Sequence, residues 1–103
     1  MNRPNVSFVM PVYNEELNFS RVLRNLYGAL KEHPHWNYEV IVVEDGSTDG
    51  TRNVILEEAE KYTGIHLVFH DKNEGYTRSL KDGVKKASGK FIMYVGADEE
   101  FDC

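Results

Sequence analysis

Four short runs of apolar residues alternate along the chain with longer segments in which apolar positions recur at helical spacing. The first run is Val6–Val12, and the second, residues 38–43, has no polar alternation in its last four positions. Continuous apolar runs of this length are typical of strands that are covered on both faces of a sheet. The pattern predicts two further strands, at Ile65–Phe69 and at residues 91–95.

The segments between these runs predict three helices. The first follows Leu17 and ends before Pro34, because proline removes a backbone donor. Thr51 is expected to cap the second helix, and Gly64 follows its end. The expected apolar positions are Phe19, Val22, Leu23, Leu26, Tyr27 and Leu30 in the first helix, Val54, Ile55, Ala59 and Tyr62 in the second, and Leu80, Val84 and Ala87 in the third.

Regular alternation of strand and helix with short connections predicts a Rossmann-like, three-layer αβα fold with a mainly parallel four-stranded sheet. Right-handed crossovers favour the strand order 3-2-1-4. Ligands of such sheets bind outside the carboxyl ends of the strands, so the informative loops are residues 11–16, 44–50 and 96–100. The fourth strand, from Phe91 to Val95, lies at an edge without proline or charge, which predicts self-association through this strand or poor solubility.

Length and composition exclude several classes of protein. The chain has 103 residues and a formal net charge of -5, so we expect a single domain over residues 1–103 and no sequence-blind binding of nucleic acid. Its single cysteine, Cys103, permits no internal disulfide and no cysteine-based metal cluster. Neither a membrane span nor a signal peptide is visible in the sequence, and we expect a cytoplasmic location.

Acidic residues follow the second and fourth predicted strands. Glu44, Asp45 and Asp49 are well placed to accept hydrogen bonds from a base or a ribose, but a solvated turn in which Asp49 or Thr51 caps the next helix explains them equally well. The sequence has no glycine-rich phosphate loop. Phosphates would then be held through a divalent metal, for which the candidate ligands are Asp98, Glu99 and Glu100. The alternative is that these three acids form a charged tail that only increases solubility.

Three segments together resemble glycosyltransferase family 2, whose fold is called GT-A. They are Pro11-Val-Tyr-Asn-Glu-Glu16, Val42-Val-Glu-Asp-Gly-Ser-Thr-Asp-Gly-Thr51, and Asn73-x-Gly75 continuing through Gly83 and Ala87-x-Gly89 to a strand that ends in Ala97-Asp98. They occur in order and with the expected spacing over nearly the whole chain. The resemblance implies a partial GT-A fold that forms the amino-terminal, donor-binding half of a glycosyltransferase.

The resemblance also assigns roles to individual residues. Asp98 corresponds to the second, metal-facing acid of the family's Asp-x-Asp motif, whereas Gly96 replaces the first. Asn14 is expected to hold the loop after the first strand. The residues implied to bind the nucleotide are Pro11, Tyr13 and Glu15 after the first strand, Asp45 at the base with Glu44 beside it, and Arg78 and Lys81 near the base or the diphosphate, although the last two also fit solvated helix charges.

The activity implied by the resemblance is the transfer of a hexose, with inversion, from a nucleotide-diphospho-sugar to an unknown acceptor. Mg²⁺ or Mn²⁺ is the implied cofactor, and a UDP-sugar is favoured over a GDP-sugar. The catalytic base is expected beyond Cys103, so the chain resembles a truncated domain, and both an active and an inactive isolated chain stay open. Two alternatives are a non-catalytic nucleotide-sugar-binding or assembly module and a phosphoacceptor domain of the receiver type, whose acids would belong after strands one and three.

Overall fold

The β-branched runs form strands and the amphipathic segments form helices in the computed structural model, which describes residues 4–96. The strands are β1 (Val6–Val12), β2 (Tyr38–Glu44), β3 (Ile65–Phe69) and β4 (Phe91–Tyr94); the helices are α1 (Phe19–Leu30), α2 (Thr51–Ala59) and α3 (Tyr76–Lys86). The predicted alternation of strand and helix is confirmed.

All described strand pairs are parallel, and the sheet has the order β3-β2-β1-β4. This confirms the predicted order 3-2-1-4. Val9, in the central strand β1, pairs with Ile41 of β2 on one side and with Tyr94 of β4 on the other. Val12 pairs with Glu44, so β1 and β2 end side by side and their following loops start at the same edge of the sheet.

Helices cover both faces of the sheet, which confirms the predicted three layers. On one face, the six apolar residues of α1 are buried against alternate residues of β1 and β2 and against Ile55 of α2. On the other face, α3 packs on β1 and β2. The alternation of side chains along each strand places Val42 in the first core and Val43 toward α3.

The predicted apolar face of α3 is wrong. Its buried residues are Ser79 and Gly83, whereas Val84 is exposed. A Cβ atom on Gly83 would lie 2.4 Å from Cγ1 of Val9. The helix therefore approaches the sheet closely through its smallest residues, and its larger apolar side chains lie beside this contact.

The start of α2 also differs from the expectation. Gly50 is the N-cap residue, and Thr51 is the first helical residue and is buried. Asp49 takes over the predicted capping role in part, because its carboxylate accepts a hydrogen bond from the backbone N–H of Thr51 at 2.9 Å. The helix ends at Ala59, so the predicted inward residue Tyr62 lies beyond it and stacks on Tyr27 at a centroid distance of 4.4 Å.

The edge strand β4 exposes apolar side chains on both faces. Phe91 is 67 % exposed, and Ile92, Met93 and Tyr94 are each about half exposed. Self-association through this strand stays a prediction. No helix within residues 4–96 is long and apolar enough to cross a membrane.

Candidate functional site

The loop after β1 is tied to the loop after β2 by Asn14. This residue has a φ of +52°, a left-handed conformation that asparagine adopts more readily than most residues. Its backbone N–H donates to Oγ of Ser47 at 2.9 Å, and its Oδ1 accepts from the N–H of Thr48 at 2.8 Å. These bonds confirm that Asn14 holds the loop, and they fix the positions of Tyr13 and Glu15 on either side of it.

Two glutamates strengthen the same junction. The backbone N–H of Glu15 donates to Oγ1 of Thr51 at 2.9 Å, and the Glu15 carboxylate accepts from the side-chain amide of Asn18 at 2.9 Å. Glu16 accepts from the backbone N–H of Gly50 at 3.1 Å. The loop after β1 is therefore anchored to the start of α2.

Glu44 shapes the turn after β2. The side chain is buried, and its carboxylate accepts from the N–H groups of Gly46 at 3.2 Å and Ser47 at 2.7 Å. A guanidinium nitrogen of Arg52 lies 3.6 Å from one carboxylate oxygen. The bonds of Glu44 thus close its own turn, and a contact with the nucleotide stays a prediction.

Asp45 is the anchor of the segment between β3 and α3. Its Oδ1 accepts from Nδ1 of His70 and from the N–H of Glu74, both at 2.8 Å, and its Oδ2 accepts from the side-chain amide of Asn73 at 3.1 Å and the N–H of Gly75 at 3.0 Å. Burial alone would raise the pKa of Asp45, but the hydrogen bonds from His70, Glu74 and Gly75 outweigh burial and lower it.

His70 bridges two carboxylates, a role that no pattern in the sequence indicates. Its Nδ1 lies 2.8 Å from Asp45, and its Nε2 lies 2.8 Å from Oδ2 of Asp82 on α3. When both carboxylates are ionised, the ring can donate to each of them only as the protonated imidazolium. The hydrogen bond to Asp45 is the main cause of a raised pKa for His70; burial opposes it, and the bond to Asp82 adds to it.

These loops and α3 enclose a cleft of about 370 Å³ at the carboxyl ends of the strands, where an open α/β sheet binds its ligands. Four of the predicted nucleotide-binding residues line it, and Asn73 and two further aromatic rings complete much of its wall. The lining residues are Pro11, Val12, Tyr13, Glu15, Asp45, Asn73, Gly75, Tyr76, Ser79 and Tyr94. Such walls suit a flat ring that also carries polar groups.

The two predicted cations do not line this cleft. Arg78 is exposed and pairs with two nearby acids: its Nε lies 3.2 Å from both carboxylate oxygens of Asp82 on the same helix, and a terminal nitrogen lies 3.8 Å from Glu74, just before the helix. Lys81 is exposed on α3. Contacts of these two residues with the base or the diphosphate stay predictions.

The predicted metal ligand, Asp98, lies outside the described residues, as do Glu99 and Glu100. Residues 4–96 contain no group of three or more His, Cys, Asp or Glu side chains that would hold a metal ion. These residues alone therefore do not form a divalent-metal site.

The His70 bridge predicts a pH dependence of stability. Below the pKa of the unfolded state, about 6.5, the imidazole is protonated in both states and its full contribution is present. As the pH rises through the raised folded pKa, the proton leaves and the contribution is lost, with a slope of at most about 1.4 kcal/mol per pH unit. Urea unfolding between pH 6 and 9 measures this loss. The His70→Gln variant cannot take up this proton. If the free energy of unfolding changed with pH in the same way for wild type and variant, the assignment of the loss to His70 would be contradicted.

Comparison with known proteins decides the family. A model described as glycosyl transferase family 2 matches residues 7–102. The chain belongs to this family. A curated relative, the dolichyl-phosphate beta-glucosyltransferase ALG5D of Trichomonas vaginalis, is 35% identical over 97 residues, which cover 90% of this chain and 30% of that protein.

Solved structures of other proteins agree with the fold. The mannosyltransferase PcManGT from Pyrobaculum calidifontis, in complex with GDP-Man and Mn²⁺, has a TM-score of 0.83 and 30% identity, over 94% of this chain and 28% of that one. S. aureus TarS 1-349 in complex with UDP has a TM-score of 0.78 and 28% identity, over 91% of this chain and 27% of that one. The fold is therefore GT-A, and the family 2 chain spans about 30% of the length of these proteins.

Proposed function

We propose that this family 2 chain binds the nucleotide-diphospho-sugar donor of a glycosyltransferase. The observation that carries the proposal is the cleft at the carboxyl ends of β1 and β2, whose walls contain Pro11, Tyr13, Glu15 and Asp45. Anchored loops form it, so its shape is present before a ligand arrives. Such preorganisation favours binding because little chain has to be ordered.

The walls suggest how a nucleotide is held. Tyr13 is 42 % exposed on the loop fixed by Asn14, and its ring is available for a base to stack on. Tyr76 and Tyr94 also line the cleft and approach each other edge to face, with ring centroids 5.8 Å apart. Stacking of a base on an aromatic side chain typically contributes about 1–3 kcal/mol.

The proposal includes a divalent metal ion, for which Asp98 is the proposed ligand. PcManGT was solved with GDP-Man and Mn²⁺ and TarS with UDP, which supports a nucleotide donor and Mn²⁺ or Mg²⁺ for this chain. We favour a UDP-sugar. Bound at Asp98, the metal would neutralise charge on the leaving diphosphate.

The family resemblance assigns the remaining chemistry of the transfer. An inverting transfer of a hexose needs a base that deprotonates the acceptor hydroxyl, and the family resemblance places this base after Cys103. The isolated chain is therefore proposed to bind the donor without completing transfer. A non-catalytic binding module is the second candidate, favoured by Gly96 at the place of the first acid of the Asp-x-Asp motif. The cytoplasmic location remains a prediction.

Calorimetric titration of the chain with UDP and GDP, each with and without Mn²⁺, tests the proposal. We expect Tyr13→Ala to weaken binding at least tenfold through lost stacking. Asp98→Ala should abolish the effect of Mn²⁺. Trp36→Ala is the matched control, because Trp36 is similarly exposed, at 43 %, but lies outside the cleft. Absence of binding at millimolar nucleotide, or an equal loss in the Trp36 variant, would contradict the proposal.

A further inference from the structure

The wall of the cleft contains a buried hydroxyl group without a partner. Ser79 is completely buried on α3, and its Oγ has no hydrogen-bond partner among residues 4–96. The residue nevertheless lines the cleft. An unsatisfied buried polar group is destabilising, and such groups are rare enough in folded proteins to require an explanation. A bound ligand that supplies the missing partner is one such explanation.

Asp45, which lines the same cleft, already uses its hydrogen-bond acceptor sites within the chain. A carboxylate accepts about four hydrogen bonds, and Asp45 already accepts four, from His70, Asn73, Glu74 and Gly75. Reading a base through Asp45 would require one of these bonds to break. Asp45 therefore holds the segment before α3 and with it the amino end of the helix that carries Ser79, and its contact with the base stays a prediction.

We propose that Oγ of Ser79 makes the hydrogen bond to the polar edge of the bound nucleobase. The inference rests on the proposed function, since it names the residue that contacts the donor in that same cleft. A hydroxyl group both donates and accepts, so it pairs with a ring N–H or with an exocyclic carbonyl. The ionised Asp45 in the same wall disfavours a phosphate at this position and favours the uncharged base.

Access to the hydroxyl requires a small rearrangement, because Oγ exposes less than 1 Å² to water. Tyr76 precedes Ser79 by about one helical turn and lines the same cleft. It is 55 % exposed, so its ring has the freedom to shift when a base enters. The hydroxyl then gains its partner only in the complex.

The test compares Ser79→Ala with Thr77→Ala by calorimetry with UDP and UMP. Thr77 is exposed on the same helix and does not line the cleft, so its variant removes a hydroxyl group without touching the proposed contact. We expect Ser79→Ala to weaken the binding of UDP and of UMP by the same factor, about tenfold, because the proposed contact is with the nucleoside that both nucleotides share. Thr77→Ala should bind as wild type does.

Urea unfolding of the same variants provides a second readout. Ser79→Ala removes an unpartnered hydroxyl from a helix, so its free energy of unfolding should equal or exceed that of wild type. Loss of affinity with stability retained supports the proposal. Unchanged affinity, or a clearly less stable Ser79→Ala protein, overturns it and leaves the proposed function standing. If wild type itself binds neither nucleotide, both the Ser79 contact and the proposed function fail.

Discussion

Gly46→Ala should lower the free energy of unfolding by about 3 kcal/mol. Gly46 has a φ of +69°, in the left-handed region that side chains disfavour. A Cβ atom there would lie 2.2 Å from the carbonyl carbon of Lys72 and 2.5 Å from the backbone nitrogen of Asn73. Both contacts are with backbone, so relief requires the segment before α3 to move away, and nucleotide binding should weaken with it.

Gly28→Ala is the matched control for this substitution. Gly28 lies within α1, and a Cβ atom there would meet nothing within 4 Å. Alanine at such a helical position should raise the free energy of unfolding by about 0.5–1 kcal/mol. Urea unfolding of both variants makes the comparison. Equal stabilities of the two variants would show that the close approach at Gly46 is incorrect.

Asp45→Ala should destabilise the chain by about 3 kcal/mol or more and abolish nucleotide binding. Asp45 is 3 % exposed, and its removal leaves His70 without one of its two carboxylates and the N–H groups of Glu74 and Gly75 without acceptors. Of these donors the His70 ring is buried, and a buried donor without a partner loses the full free energy of its hydration. Thermal or urea unfolding measures the first effect, and calorimetry with UDP measures the second.

Asp71→Ala controls for the loss of one negative charge in the same region. Asp71 is exposed next to His70, and its replacement should change stability by no more than about 0.5 kcal/mol. If the Asp45 and Asp71 variants were equally stable, the hydrogen bonds to Asp45 would contribute little. The assignment of Asp45 as the anchor of the cleft wall would then be wrong.

Much of the fold was predictable because burial and periodicity coincide. All six apolar positions expected on α1 are buried, and the mainly apolar strands β1 and β2 occupy the centre of the sheet. Hydropathy failed on α3, where contact with the sheet depends on the absence of a side chain at Gly83. A pattern that counts apolar residues gives no signal for such a contact.

The candidate site was predictable only in part. Asp45 and the loop after β1 were found because acids and turns follow the ends of neighbouring strands. His70 was missed because its bond to Asp45 joins residues 25 positions apart and depends on β3 ending beside β2. Ser79 was missed because its lack of a hydrogen-bond partner is a property of the packed chain and leaves no trace in the sequence.

The central claim is that the nucleotide occupies the cleft at the carboxyl ends of β1 and β2. A crystal structure of the chain with UDP and Mn²⁺ tests it most directly. We expect the base between Tyr13 and Tyr76, with a polar edge within hydrogen-bond distance of Ser79. A nucleotide bound instead in the second cavity, of about 330 Å³ and lined by Trp36 and Tyr62, would contradict the claim.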